Sequence, residues 1–350
     1  MITNLILDPI RMHKSMSTEL FEYVNNYCCI NSSNTFIVHT GDSMNIKNSE
    51  NSFDSIINLF KVNDIRYVNK FFEAINGELS NNDMFICCVE TIELRNKKKQ
   101  LLKGSIFNIG YELGEFIFLR IFPKVKFLKK IYFAITQGKN RLISKSETLG
   151  RLVSCGFYIV DFKEFDGLLY VVSKKVDNPS FDMHPSYGAL FSMARVGKEY
   201  KIIKVFKLRT MHPYSEYLQD YMFEKNGSLN GDKVINDFRI SIFGKILRKF
   251  WIDEIPMLLN LIKGDLKIVG VRPLSVSKFN MYPKYAQEAR VKFKPGLIPP
   301  FYVDLPKDFN GLVASEMKYL KEHEKRPIFT DLKYFFIAMS NILVKGARSS

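Results

Sequence analysis

The sequence predicts two mixed domains: an α/β domain over 1–176 and an α+β domain of short strands and helices over 177–350. Three observations carry this. The first half alternates apolar runs of strand length with segments of helical period. That periodicity stops in "KKVDNPSFDMHPSYG" (174–188), a stretch rich in Pro, Asp and Ser. Beyond it the texture changes to short elements thick with Lys and Arg. A length of 350 residues agrees with two domains, and a 46% hydrophobic content is ample for two cores.

In the first half, "NTFIVHT" (34–40) and "FDSIINLF" (53–60) read as strands, and "IRYVNKFFEAIN" (65–76) as an amphipathic helix. "DMFICCVET" (83–91) is a strand of the buried type found in parallel sheets. "SETLGRLVSCGF" (146–157) is a helix closed near Gly156, followed by the strands "YIVDF" and "LLYVVSKK". Over roughly residues 35–175 this order resembles the second half of a Rossmann-like class I methyltransferase. In such domains a glycine-rich loop after the first strand lets the backbone approach the cofactor. No G-x-G-x-x-G is present, and residues 1–50 hold a single glycine, Gly41. The domain therefore reads as a degenerate relative without S-adenosylmethionine, a docking or structural module.

A basic, aromatic insertion, "GSIFNIGYELGEFIFLRIFPKVKFLKKIYFAIT" (104–136), interrupts that pattern. It is either a packed helical hairpin with a solvated basic face or an interfacial segment at the headgroup level of a membrane. The C-terminal "LKYFFIAMSNILV" (332–344) would be only about 20 Å long as a helix, so it would lie on a surface. No run of about 18 apolar residues is evident, and the start "MITNLILDPIRMHKS" is too short and polar for a signal peptide.

The formal net charge of +15 points to a polyanionic partner: nucleic acid, an anionic membrane surface or phosphorylated substrates. Thirty Phe and 17 Tyr beside that charge suit a membrane interface at least as well as a duplex groove. No nucleic-acid recognition motif is present, which ranks that partner last. The five Cys, including the adjacent pairs Cys28-Cys29 and Cys87-Cys88, show no C-x-x-C spacing and read as small hydrophobes in a reducing compartment.

Four stretches in the second half carry the candidate chemistry. "ARVGKEYKIIKVFKLRTM" (194–211) has a turn at Gly197-Lys198 and then alternates apolar and basic residues, including Lys207 and Arg209. "NDFRISIFGKILRKFWIDE" (236–254) holds Asp237, Arg239, Arg248 and the paired acids Asp253 and Glu254. "GDLKIVGVRPL" (264–274) adds Asp265 and Arg272, and "KFKPGLIPPFY" (292–302) adds Lys294. Asp253 suits a helix N-cap, with Glu254 and Pro256 in the first turn.

Together these stretches resemble the bacterial sugar transferases, the monotopic polyprenyl-phosphate hexose-1-phosphate (phosphoglycosyl) transferases. The matching blocks are "FKLRTM", "NDFRISIFGKILRKFWIDEIP", "GDLKIVGVRP" and "KPG", and the closing "FTDLKYFFIAMSNILVKGA" resembles the family's C-terminal helix. The resemblance covers residues 187–350 and implies an α+β catalytic domain with amphipathic membrane-surface helices. It implies transfer of a sugar 1-phosphate from a UDP-sugar donor to a polyprenyl phosphate acceptor, with release of UMP, at the cytoplasmic face of the inner membrane. Asp253 would be the nucleophile that forms an aspartyl phospho-sugar, and Glu254 would bind metal or handle a proton. Mg²⁺ at Glu254 and Asp253 would share the neutralisation of phosphoryl oxygens with Arg248, Arg272, Lys207 and Arg209.

Asp237 and Arg239 match an Asp-x-Arg block, or form a loop-fixing ion pair. Asp265 fits turn chemistry, and Lys294 either shapes a turn or touches nucleotide phosphate. Val271 and Met257 replace the family's usual proline and glutamine without removing a charge. The re-entrant helix that usually precedes the catalytic blocks has no counterpart in "VVSKKVDNPSFDMHPSYGALFSMARVG". A rival reading is a non-catalytic scaffold on the membrane surface; a third, disfavoured by the missing glycine loop, is a methyltransferase.

Overall fold

A computed structural model of the chain describes residues 16–47, 53–101, 118, 122, 126–181, 188–226 and 237–345. Its residues cluster into two units. The first is Met1–Tyr187 with His212–Lys225, and the second is Gly188–Met211 with Asn226–Ser350.

The first unit is built on a five-stranded sheet of β1 (Thr35–Val38), β2 (Ser55–Asn58), β3 (Met84–Val89), β4 (Phe157–Phe165) and β5 (Leu168–Lys175). Its order is β1-β2-β3-β5-β4. The first three strands run parallel, and β5 runs antiparallel to both β3 and β4. Every residue of β2 is buried, as a strand covered on both faces must be. On one face, Leu20, Tyr23 and Val24 of helix α1 (Thr18–Asn25) pack against Ile37, Ile57, Ile86 and Val172. Elsewhere in the core, Phe72 of α2 (Val68–Glu78) meets Phe85, which in turn meets Phe157.

Helix α3 (Ile92–Leu101) follows β3. Of the insertion expected over 104–136, residues 126–136 form α4 (Lys126–Thr136), and most of the remainder lies outside the described residues. Tyr132 of α4 is buried, whereas Ile131 and Ile135 are exposed. Helix α5 (Lys145–Ser154) starts at an N-cap, Ser144, whose hydroxyl accepts from the Glu147 amide. Cys87, Cys88 and Cys155 are buried, and all five cysteines are free.

The second unit opens with an antiparallel hairpin, β6 (Leu190–Val196) and β7 (Ile202–Leu208). Helices α6 (Ile242–Lys249) and α7 (Leu258–Ile262) follow, joined by the 3-10 helix Ile252–Met257. A short parallel pair, β8 (Lys267–Val269) and β9 (Gly296–Ile298), encloses α8 (Val276–Asn280) and α9 (Lys284–Val291) in sequence. The chain then runs through α10 (Phe301–Asp304), α11 (Phe309–Lys325) and α12 (Pro327–Lys345).

Val269, Val271, Tyr319, Leu320 and Tyr334 form one core of this unit. Val205, Met257 and Leu266 form another. Val271 and Met257, the two departures from the family pattern, are thus core side chains.

Helix α12 is longer than its apolar segment alone suggests. Its 19 residues span about 28 Å. Its window Pro327–Val344 has a mean hydropathy of 1.2, which makes it long and apolar enough to cross a membrane by length and composition. One stripe, Thr330, Tyr334, Ala338 and Asn341, is buried. Asn341 Nδ2 donates to the Tyr302 and Val303 carbonyls at 2.9 and 3.2 Å, which ties the helix to α10.

Candidate active site

The site is assembled on β7 and the 3-10 helix. Lys207 comes from β7, and its Nζ donates to Glu254 Oε1 at 2.6 Å. The strand is pinned from α7 by Asn260, which is fully buried. Asn260 Nδ2 donates to the Lys204 carbonyl at 2.7 Å, and its Oδ1 accepts from the Phe206 amide at 3.0 Å. One side chain therefore replaces a missing edge of the sheet ladder and fixes where Lys207 emerges.

Asp253 and Glu254 lie in the first turn of the 3-10 helix, but Asp253 is not its cap. That position is held by Trp251, in left-handed conformation at φ 54°. A non-glycine residue there is uncommon and costs energy that surrounding structure must offset. The reversal at Trp251 ends α6 and starts a new direction, so Arg248 of α6 and the two acids are not on one helix face. The six-residue 3-10 helix contains Pro256 as its fifth residue, two before α7 begins.

Arg248 is held from its own side. Its Nε donates to Thr210 Oγ1 at 2.9 Å, and Thr210 is buried just after β7. The Thr210 carbonyl accepts from the Ser241 amide at 3.0 Å and from the Ser241 hydroxyl at 3.2 Å, and this hydroxyl caps α6. Gly244 makes the approach possible: a Cβ there would lie 1.9 Å from the Thr210 carbonyl oxygen.

Burial pushes the Asp253 carboxyl above the ordinary carboxylate range; Lys207 and Arg248 pull it down, and the adjacent Glu254 pushes it further up. Burial likewise lowers the Arg248 guanidinium, against the opposing fields of Asp253 and Asp237. Asp253 is thus a partly desolvated carboxylate within electrostatic range of Lys207, Arg248 and Glu254. A carboxylate acts as a nucleophile toward phosphorus only where cations offset phosphoryl charge.

The remaining sequence candidates divide. Asp237 and Arg239 form a buried bidentate pair, with Arg239 Nε donating to Asp237 Oδ1 at 2.9 Å and Nη2 to Oδ2 at 2.8 Å. Both lie within electrostatic range of Arg248. Arg209 turns back onto its own hairpin: its Nε donates to the Gly188 carbonyl at 2.9 Å and its guanidinium stacks on Phe191. Asp265 accepts from Asn260 Nδ2 at 3.2 Å, and its amide donates to the Asn260 carbonyl at 2.9 Å, as turn chemistry requires. The Lys294 ammonium lies beside Gly264.

Arg272 belongs to a second basic group. Arg195 of β6 is lowered by burial and by Arg272, and Lys278 by burial and by Arg195. The Arg272 carbonyl accepts from Arg290 Nη2 at 2.5 Å, and Arg290 forms a buried pair with Glu316. Sequence reading missed Thr210, Asn260, Arg195 and Arg290. A lone Asn in the apolar run "MLLNLI" was the available signal for Asn260, since a buried amide must find partners.

Among the described residues, no three or more His, Cys, Asp or Glu gather into a metal cluster. Mg²⁺ commonly takes one or two protein carboxylates and leaves its other positions to phosphates and water; of the two acids here, Glu254 is engaged by Lys207 Nζ at 2.6 Å.

Residues 181–345 match the family of bacterial sugar transferases. This part of the chain is similar to that family. A similar protein is the galactosyl transferase CpsE of Streptococcus agalactiae, 31% identical over 161 residues, which cover 45% of this chain and 35% of CpsE. The exopolysaccharide production protein ExoY of Rhizobium meliloti is 28% identical over 41% of this chain and 64% of its own. A UDP-glucose:undecaprenyl-phosphate glucose-1-phosphate transferase of Caulobacter vibrioides is 33% identical over 37% of this chain and 43% of its own. The chain thus spans between about a third and two thirds of the length of these relatives. Every side chain around Asp253 named above lies inside the sugar transferase stretch.

Proposed function

We propose that this protein is a phosphoglycosyl transferase that moves a sugar 1-phosphate from a UDP-sugar to a polyprenyl phosphate such as undecaprenyl phosphate. The observation that carries this is Asp253, partly desolvated and within electrostatic range of Lys207 and Arg248, with Glu254 next in sequence and paired to Lys207. The names of the relatives support the donor and acceptor classes. In this reading an Asp253 oxygen attacks the β-phosphorus and the bond to the α-phosphate oxygen breaks, releasing UMP. The acceptor phosphate oxygen then attacks the same phosphorus and frees Asp253. Arg248 and Lys207 offset charge on the phosphoryl oxygens in both steps. Mg²⁺ held by Asp253 and Glu254 would add charge neutralisation at those oxygens.

The acceptor is a lipid, and the site has an apolar surround. Ile242, Phe243, Ile246 and Phe250 on one side of the acids and Ile255, Leu258, Leu259 and Ile262 on the other are all exposed. Lys245, Lys249 and Lys263 stand among them. Mixed apolar and basic exposure of this kind suits an anionic membrane surface, at the cytoplasmic face of the inner membrane. We infer that this face, together with the exposed Ile328, Phe329, Leu332 and Phe336 of α12, rests on the headgroup region.

For the first unit we infer a degenerate, methyltransferase-like Rossmann module. The supporting observation is the sheet order, three parallel strands followed by an antiparallel strand inserted before the last. Gly41, after β1, is covered by the Phe60 ring, 2.8 Å from where its Cβ would be.

The deciding experiment measures UMP release in nanodiscs with polyprenyl phosphate, Mg²⁺ and a panel of UDP-sugars, for wild type and Asp253→Asn. Release that needs both lipid and Asp253 supports the reading. No release from any donor by folded protein would favour the scaffold instead.

A further inference from the structure

The chain leaves the second unit just after the site's Thr210 and Met211, and residues His212–Lys225 cluster with the first unit before the chain returns. This excursion is anchored hard. Tyr214, Leu218 and Met222 are buried, and Tyr214 takes a left-handed backbone at φ 62°. Asn69 Nδ2 donates to the Tyr214 hydroxyl at 2.8 Å. The Arg151 guanidinium lies 4.4 Å from the centre of the Tyr214 ring. Arg151 is itself fixed, by Glu147 at 2.8 Å and by Asn69 Oδ1 at 2.5 Å. Gly150 completes the socket: a Cβ there would lie 2.2 Å from the Tyr214 carbonyl oxygen.

Four residues upstream stands Thr210, whose hydroxyl orients Arg248 and whose carbonyl receives Ser241 at the start of α6. Only three residues of backbone join Thr210 to Tyr214, so a displacement at Tyr214 reaches Thr210 through the chain itself. We propose that Tyr214 is a positioning residue of the transfer reaction: its socket of Asn69, Gly150 and Arg151 fixes the chain that holds Thr210, and Thr210 aims Arg248 at the phosphoryl group. The inference rests on the transferase reading for its kinetic consequence, but the tether itself does not.

Two measurements on the full chain test it. Hydrogen exchange reads the tether without catalysis. Tyr214→Ala should speed exchange at the Ser241 and Gly244 amides and leave α11 unchanged. Should Tyr214→Ala fold poorly, Asn69→Ala, which removes one hydrogen bond to the tyrosine and one to Arg151, gives the same reading. Faster exchange within 212–225 with unchanged protection at Ser241 and Gly244 would overturn the proposal.

The kinetic arm is a double-mutant cycle on UMP release. Tyr214→Ala and Thr210→Val should each lower kcat/KM about tenfold, and the double variant should be no worse than either. Tyr214→Phe, which keeps the ring on Arg151, should recover most activity. Additive losses would mean that Tyr214 acts by some route other than Thr210, against the proposal. A wild type that releases no UMP would defeat the transferase reading, while the exchange arm would still decide the tether.

Discussion

Asp253 is a carboxylate whose surroundings disagree about its charge. Burial raises its pKa while Lys207 and Arg248 oppose the rise. Replacing it with Asn should lower UMP release by about a thousandfold or more, as loss of a covalent nucleophile does. The same change should raise Tm at neutral pH. The sign follows from linkage: a carboxyl whose folded pKa lies above its unfolded value weakens the fold wherever it is ionised. The Asn advantage should shrink as pH falls through the folded pKa toward the unfolded one, and a constant difference across that window would contradict the assignment.

Lys207→Met removes a cation that holds the carboxyl down. The acid limb of kcat/KM should therefore move to higher pH, and a shift to lower pH would exclude Lys207 as that cation. At this scale the residue types were legible in the sequence, because two adjacent acids among Arg and Lys suit phosphoryl chemistry. Their local geometry was not. The cap lies at Trp251, whose left-handed backbone no propensity announces. Arg209 looked equivalent to Lys207 in the strand, yet it is spent on Gly188 and Phe191.

Elements position the site through two close contacts. Gly244 lets α6 lie against Thr210, so Gly244→Ala should cost about 1–3 kcal/mol by overpacking. It should also lower UMP release, since Arg248 rides on the same helix; chemical denaturation and the release assay read the two effects. Arg290 and Glu316 are paired where their side chains are only 4% and 2% exposed. Arg290→Met alone should destabilise by about 3–5 kcal/mol, because it leaves Glu316 buried and unpaired. Adding Glu316→Leu should restore much of that loss in equilibrium unfolding. The strands of the first half and the hairpin turn near Gly197 were legible from period and turn residues. The full length of α12 was not, because Thr330, Asp331 and Lys333 interrupt its apolar run while Tyr334, Ala338 and Asn341 pack as one stripe.

For the molecule as a whole, charge and apolar exposure point the same way. A chain of net charge +15 with an apolar, lysine-bearing surround at its acids should sediment with anionic liposomes at low salt. Ile242→Ser with Phe243→Ser should reduce that binding about tenfold or more and leave Tm nearly unchanged, since both side chains are already exposed. Binding equal to wild type would place the contact elsewhere. Composition and period lead to an expectation of two continuous mixed domains. What sequence could not convey is that contacts assign His212–Lys225 to the first unit, for nothing local distinguishes that stretch from its neighbours.

That excursion sets an order of events during synthesis on the ribosome. Tyr214, Leu218 and Met222 complete the first unit, so it cannot finish folding when its continuous stretch has emerged. The β6–β7 hairpin is translated in between, and the rest of its own unit follows only after residue 225. The N-terminal unit is therefore not a separable leader that folds ahead of the rest. Its last residues emerge only after the first strands of the second unit, so the two units are interleaved in the order of synthesis.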